Sequence, residues 1–174
     1  MKIRYFFYLI LLIPILSCST KPVIKDDGLI NYELYQGKWY EIARLPNSIE
    51  SALICITMTY TYKDDGIMTV TGTGRNKNNL SDIKRVTAKA WIPNEKEPQK
   101  IKLQVVWPAT FNAILIHIDK EKGYAIIGAP NKKYLWILSR QTMINENDMS
   151  ELKNIAEKNQ YNTNKLVYAD QHCD

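Results

Sequence analysis

Residues 56–74 read ITMTYTYKDDGIMTVTGTG, in which apolar, aromatic or small side chains alternate with threonine on both sides of a polar turn. A period of two places successive side chains on opposite faces of a β-strand. Between the two alternating runs, Lys63-Asp64-Asp65-Gly66 supplies turn residues and a glycine that accepts a positive φ. This stretch predicts a β-hairpin with its threonines on the outer face and its other face buried.

Strand-like patterns recur along the rest of the chain at hairpin spacing. The further segments are 38–43, 86–90, 101–105, 113–118, 124–129 and 134–138. Some of them alternate, whereas the last three are almost wholly apolar. Together with the hairpin they predict eight strands, an arrangement typical of an up-and-down antiparallel barrel or of a sandwich.

One segment has helical instead of strand periodicity. Residues 148–159 read DMSELKNIAEKN, with Met149, Leu152, Ile155 and Ala156 on one face. Asp148 or Ser150 is a suitable residue to cap the first turn. The spacing predicts one amphipathic helix after the last barrel strand, followed by a short final strand at 165–168.

The N-terminus resembles an export signal. Lys2 and Arg4 precede an apolar run over residues 5–16, which contains Pro14 and is shorter than the roughly 20 residues that span a membrane. The sequence Leu-Ser-Cys-Ser at residues 16–19, where this run ends, resembles the lipobox of bacterial lipoproteins. In such a motif Cys18 would be acylated. We therefore expect a signal peptide over 1–17, an acylated tether over 18–28 and one folded domain over 29–174.

Composition and charge narrow the classes of function. The 174 residues include 24% charged and 10% aromatic side chains, a balance typical of one globular domain. Taking the two basic residues of the signal away from the 23 in the chain leaves 21, against 18 acidic ones. A small net charge without a basic cluster argues against nucleic acid as a partner.

Small side chains on the inner faces of the predicted strands favour a cavity. Glycine and alanine at 72, 74, 88 and 90 are too small to fill an eight-stranded barrel, which encloses a small ligand when side chains do not close it. The alternative is that they fit a tight core or mark bulges. The residues predicted to line the cavity are Met58, Tyr60, Val70, Gly72, Gly74, Ala88, Ala90, Leu103, Val105, Leu115, His117, Ile127 and Trp136.

Two motifs carry a resemblance to a known family. Residues 37–47, GKWYEIARLPN, resemble the first motif of the lipocalins, in the branch that holds bacterial outer-membrane lipocalins and apolipoprotein D. Residues 134–140, YLWILSR, resemble the third motif, and Asp119 with Tyr124 fits the second less tightly. The resemblance covers about residues 29–173. It implies an all-β fold, an eight-stranded up-and-down antiparallel barrel with one C-terminal α-helix packed outside.

The resemblance also implies roles for individual residues. Trp39 and Arg140 would meet at the barrel floor as a structural pair, with the guanidinium on the indole face and bonded to backbone carbonyls within 30–35. Cys55 and Cys173 would form a disulfide, which an oxidising compartment permits. All three thiols of the chain would then be accounted for, because Cys18 would carry lipid.

The function that the resemblance implies is binding without turnover. The barrel would hold a fatty acid or lysophospholipid and store or transport it during envelope maintenance or stress. The lipid anchor would attach the protein to the outer membrane, where Ser19 favours sorting, on its periplasmic side. Neither the natural ligand nor the choice between monomer and homodimer follows from the sequence.

Two rival functions stay open. One is an enzyme of the lipocalin fold that uses Cys55 as a nucleophile, or a Glu41 and His117 pair on the inner face for acid–base chemistry. The other is a scaffold lipoprotein with a filled barrel. No cofactor or metal is expected, because the sequence has neither a metal-ligand spacing nor a glycine-rich phosphate loop.

Overall fold

The computed structural model describes residues 35–62 and 66–173, and its regular elements follow the alternating segments. The predictions for residues 1–34 lie outside this part of the chain. The strands are β1 Gly37–Arg44, β2 Leu53–Tyr62, β3 Met68–Asn76, β4 Asn79–Trp91, β5 Lys100–Gln104, β6 Phe111–Asp119, β7 Tyr124–Gly128, β8 Leu135–Ser139 and β9 Val167–Tyr168. One α-helix, α1, covers Glu146–Lys158, and a single 3-10 turn comes after it at Thr163–Lys165.

The first eight strands form a closed antiparallel barrel. Each strand from β2 to β7 pairs with the next one along the chain, and β1 pairs with both β8 and β2, which closes the sheet. The eight-stranded up-and-down barrel is confirmed, and the sandwich is excluded. The hairpin predicted over 56–74 consists of β2 and β3, where Thr57, Thr59 and Thr61 face Thr73, Thr71 and Thr69 across the outer surface.

The barrel has two ends, here called the floor and the mouth. The floor lies at the start of β1, where Gly37 pairs with Tyr60, and the chain enters the barrel there. The mouth lies at the end of β1, where Arg44 pairs with Trp136. Because the strands run alternately up and down, the connections 45–52, 77–78, 105–110 and 129–134 all lie at the mouth.

Buried apolar side chains form two separate clusters on the two faces of the barrel wall. The inner cluster includes Trp39, Tyr60 and Leu115, while the outer cluster includes Ile116, Ile126 and Leu135. Met149, Leu152 and Ala156 of α1 are buried against the outer cluster. The predicted helix packed outside the barrel is therefore present.

The cap of α1 differs from the prediction. Asn145 caps the helix, since its Oδ1 accepts a hydrogen bond from the backbone N–H of Asp148 at 2.8 Å, and the helix begins two residues earlier than expected. The Asp148 side chain instead accepts hydrogen bonds from Lys122 and Tyr124. It joins the helix to the floor turn between β6 and β7.

The C-terminal segment fills a seam in the barrel wall. Near the mouth β1 and β2 separate, and residues 167–173 run between them. The Cys55 N–H donates to the Asp170 carbonyl at 2.7 Å, and the Gln171 amide donates to the carbonyls of both Glu41 and Ile56. The disulfide between Cys55 and Cys173 fastens the end of this segment to β2.

Among the residues described, no helix combines the length and the apolar character needed to cross a membrane.

Candidate ligand cavity

The barrel interior encloses a narrow apolar cavity in two compartments. The deeper compartment measures about 130 Å³ and the one toward the mouth about 190 Å³. Met58, Val70 and Leu103 line both compartments and therefore form the partition. Because a methionine thioether adapts its rotamer readily, a small movement of Met58 would join the two spaces into one slot.

Nine of the thirteen residues predicted to face the cavity line it. They are Met58, Tyr60, Val70, Gly72, Gly74, Ala88, Leu103, Ile127 and Trp136. Ala90 and Leu115 are on the inner face but fully buried in the packed cluster near the cavity. Gly72 leaves space that a Cβ would take from Met58, whose sulfur would lie only 3.3 Å away.

The inward direction predicted for Val105 is wrong. β5 ends at Gln104, and Val105 begins the exposed connection at the mouth, with 58% of its surface accessible. The alternation of β5 does not extend into this loop, where it carries no information about direction.

The inward direction predicted for His117 is also wrong, because β6 contains a bulge. Leu115 pairs with Ile127, whereas His117 pairs with Ile126, so Ile116 is an extra residue. Ile126 belongs to the outer cluster, and directly paired residues of an antiparallel sheet point to the same side. The imidazole therefore lies on the outer face of the wall.

Sequence reasoning missed several lining residues. Phe111 and Leu138 line the deeper compartment, and Ile49, Glu50 and Val86 line the one toward the mouth. Phe111 lies two residues before Ala113, so continuing the alternation of β6 backward would have found it. The rings of Phe111, Tyr134 and Trp136 pack together at the wall, with Phe111 edge-on to the other two.

A buried charge cluster joins the barrel wall to the loop at the mouth. Arg44 donates from Nη1 to Glu41 Oε1 at 2.6 Å and from Nη2 to the Glu50 carbonyl at 2.8 Å. The Glu50 carboxylate accepts hydrogen bonds from Trp136 Nε1 at 3.0 Å and from Asn47 Nδ2 at 2.6 Å. These contacts hold residues 45–52 against the mouth, and they give Asn47 of the first motif a structural role.

The cluster contains two carboxylates and one guanidinium, and the two carboxylates differ in how many hydrogen bonds they accept. Glu41 is completely buried, and its Oε2 has no hydrogen-bond partner. Burial, with a smaller contribution from the Glu50 carboxylate, raises the pKa of Glu41 from 4.5 to about 7. A proton on Glu41 removes the excess negative charge that burial disfavours.

We expect the stability of the barrel to fall as the pH rises from 4.5 to 7. In this window the folded chain keeps the proton on Glu41, whereas the unfolded chain has lost it, so unfolding releases a proton. The effect on the free energy of unfolding is about 3 kcal/mol at most, from 1.36 kcal/mol per pKa unit. Denaturant unfolding across this range measures it, and Glu41→Gln is expected to flatten the profile. An unchanged profile in Glu41→Gln would show that the carboxyl is ionised throughout.

The floor contains the predicted pair. The Arg140 guanidinium lies 3.8 Å from the centre of the Trp39 ring, and Trp39 Nε1 donates to the Tyr35 carbonyl at 2.8 Å. Arg140 donates to the carbonyls of Lys38 and Gln36, and residues 30–34, which were expected to supply acceptors, lie outside the described part of the chain. Gly37 adopts a φ of 95°, and a Cβ there would lie 3.2 Å from Arg140 Nη1, which explains the glycine of the first motif.

The groups suggested for catalysis are not assembled. Glu41 is inside the barrel and His117 outside, so the two side chains do not form an acid–base pair. Cys55 is bonded to Cys173 and is therefore not a free thiol nucleophile. Within residues 35–62 and 66–173, no group of three His, Cys, Asp or Glu side chains is placed to hold a metal ion.

Known proteins resemble this chain along most of its length. A family model described as a lipocalin-like domain matches residues 30–171. The chain is a lipocalin. This lipocalin is similar to the outer membrane lipoprotein Blc of Vibrio cholerae, with 31% identity covering 88% of this chain and 87% of that one. It is also similar to temperature-induced lipocalin-1 of Arabidopsis thaliana, with 30% identity over 79% of this chain and 77% of that one. Apolipoprotein D of Macaca fascicularis is 26% identical over 89% and 82%.

Solved structures support the same fold for the lipocalin. Lobster apocrustacyanin A1 superposes with a TM-score of 0.67 and 18% identity, covering 81% of this chain and 79% of that one. Insecticyanin from the tobacco hornworm Manduca sexta superposes with a TM-score of 0.66 and 21% identity, over 86% and 83%. At these identities the likeness concerns the barrel alone.

Proposed function

We propose that this lipocalin binds one elongated apolar chain, a fatty acid or a lysophospholipid, inside the barrel. The observation that carries the proposal is the slot formed by the two compartments and lined by apolar side chains. Each compartment alone is smaller than the roughly 300 Å³ of ordinary ligand pockets, so a ligand needs both. A slot of this size and shape suits a single acyl chain better than two chains or a fused ring system.

The polar head of the ligand would stay at the mouth, where it keeps contact with water. Lys84 lines the compartment toward the mouth, and Lys77 lies in the adjoining turn between β3 and β4. Both are suited to an anionic head group, although Lys84 also pairs with Asp82 at 2.9 Å.

Filling the slot tests the proposal. Ala88 faces the mouth compartment opposite Val70, so Ala88→Trp is expected to weaken binding of a fluorescent fatty acid at least tenfold, about 1.4 kcal/mol. The matched control is Lys89→Trp, because the next residue of the strand faces the opposite side and is exposed. Fluorescence titration measures the affinity, and thermal unfolding monitored by circular dichroism checks the fold.

Other outcomes of this pair are informative. Loss of binding in Lys89→Trp with normal binding in Ala88→Trp would contradict the placement of the ligand. A loss of stability in Ala88→Trp of about 1 to 3 kcal/mol, the usual cost of overpacking, with no ligand bound by the unmodified protein, would favour the scaffold hypothesis instead.

We further propose that the lipocalin is a lipid-anchored protein of the outer membrane, facing the periplasm. The names of its bacterial relatives describe outer membrane lipoproteins, and Cys18 stands in a lipobox-like sequence. Replacing Cys18 by Ala is expected to abolish incorporation of radiolabelled palmitate. Continued labelling of that variant would show that the anchor is attached elsewhere. Several acyl chains would be needed for stable attachment, since a single chain binds membranes only marginally.

A further inference from the structure

The mouth carries exposed apolar side chains, of which only Ile49 also lines the cavity. Ile49, Val105, Val106 and Trp107 have between 58% and 81% of their surface exposed, and Leu80 is about half exposed. They come from three parts of the chain that are distant in sequence but share one end of the barrel. We call these five residues the mouth rim. Exposing them to water is unfavourable, and a ring of apolar side chains around a cavity opening marks an interaction surface.

Charge is distributed unevenly between the two ends. The mouth segments 45–52, 75–85, 104–111 and 129–134 contain six basic and two acidic residues. One of the two acids, Glu50, is buried in the charge cluster, and the other, Asp82, is paired with Lys84. The described floor segments, which are 35–38, 91–100, 119–124 and 139–148, contain six of each sign. The mouth is therefore cationic, whereas this part of the floor is balanced.

We propose that the mouth rim docks on the surface of a phospholipid bilayer that contains anionic lipids, so that acyl chains pass between the bilayer and the barrel without crossing water. Trp107 is the central contact, because an indole has an apolar body and a polar N–H that suit the boundary between head groups and acyl chains. Lys77 and Lys133 are exposed at the mouth and would lie at the level of the anionic head groups. This surface goes beyond the proposed cavity and would be tested separately from it.

The charge argues against a second copy of the chain as the occupant. Two mouths facing each other would bring two cationic surfaces together, which opposes association. An anionic bilayer offers the complementary charge and an apolar layer at the depth that the rim side chains reach. Trp107 does not line the cavity, so its contact with a bilayer can be changed without changing the slot.

Quenching of tryptophan fluorescence by lipids with brominated acyl chains tests the docking. The full chain is reconstituted with vesicles of phosphatidylcholine and phosphatidylglycerol, and a Trp107→Phe variant isolates the contribution of Trp107. We expect bromine to quench Trp107 strongly, and quenching to decrease in pure phosphatidylcholine vesicles and at high salt, where charge is screened. Trp39 and Trp136 lie in the barrel interior and Trp91 lies at the floor end of β4, so we expect all three to contribute little.

A second variant gives a matched control at the opposite end. Met143 lies in a floor segment and is 67% exposed, so Met143→Trp in the Trp107→Phe background places an exposed indole at the floor. We expect little quenching of this indole. Strong quenching at 143 with none at 107 would overturn the proposal, since the chain would then stand on its floor. Association that depends on Trp107 in vesicle-free solution, without quenching by vesicles, would equally overturn it in favour of a second copy.

Ligand delivery separates this proposal from the proposed function. Trp107→Ala is expected to leave the affinity for a fluorescent fatty acid in solution unchanged and to slow its transfer into acceptor vesicles severalfold. Normal affinity with normal transfer would contradict docking and leave the cavity proposal intact. Loss of fatty-acid binding by the unmodified protein, with Trp107 still quenched, would contradict the cavity proposal and leave docking intact.

Discussion

Trp39→Ala is expected to lower the free energy of unfolding by about 3 to 5 kcal/mol, the usual loss when a buried aromatic side chain is truncated. Only 2% of the Trp39 surface is exposed, and the structure has little means to fill the space, because strands on all sides of the floor hold their backbone positions. The change also removes the ring on which Arg140 lies and the donor to the Tyr35 carbonyl. The Arg140 guanidinium would remain at the floor without the aromatic ring that it contacts, which adds to the loss of stability caused by the empty space.

Denaturant unfolding measures this effect, and Trp107→Ala is the matched control. The same truncation at an 81% exposed indole is expected to change the free energy of unfolding by no more than about 0.5 kcal/mol. Fatty-acid affinity of the folded fraction of Trp39→Ala is expected to stay within a small factor of normal, because the ring lies outside both compartments. Normal stability combined with lost binding would show that Trp39 contacts the ligand and that the floor is misplaced.

Cys55→Ser is expected to be the second large loss, about 4 kcal/mol in the free energy of unfolding. The disulfide closes a loop with a sequence separation of 118 residues, for which the chain-entropy model gives roughly 4 to 5 kcal/mol and tends to overstate the value. The bond also holds the segment that fills the seam between β1 and β2. Reduction of the unmodified protein is expected to lower the melting temperature to the same value as the substitution does.

Two measurements distinguish the bond from an unrelated effect of the substitution. Cys55→Ser and the double variant with Cys173→Ser are expected to have equal stabilities, because both lack the same bond. In these variants we expect faster hydrogen exchange at the backbone N–H of residue 55, which donates across the seam to the Asp170 carbonyl. Two titratable thiols in untreated protein, with a melting curve insensitive to reductant, would contradict the disulfide.

Local alternation is sufficient to predict the strands, and it fails where the backbone departs from regular geometry. It places Gly72, Ala88 and Leu103 correctly because these residues lie within ladders of unbroken register. It fails at His117 because one extra residue in β6 reverses the facing of the residues after it, and no property of the surrounding apolar run marks that residue. It fails at Val105 because the end of a strand is decided by its partner, not by its own pattern.

The contacts of the charge cluster could not be predicted from the sequence, for a different reason. Glu50 meets Trp136 across a separation of 86 residues, in a loop with no periodic pattern, so only the closed barrel brings them together. The parity of β1 identifies Glu41 as inward-facing, yet it suggests His117 as the partner and not Arg44, three residues away in the same strand. The ring and guanidinium at the floor are predictable only through the family resemblance.

The seam has a consequence for the order of events in folding. The first strand of the barrel to be synthesised, β1, pairs with β8 on one side near the mouth, and on its other side it obtains a neighbour there only from residues 167–173. An incomplete chain that lacks residues 167–173 leaves backbone donors and acceptors of β1 and β2 without hydrogen-bond partners at the seam. Such unpaired strand edges can pair with other chains. Contacts between such distant parts of a sequence form slowly. The barrel is thus completed only after all its other strands have been made, and a chain truncated after Gln160 is expected to aggregate instead of forming a slightly smaller barrel.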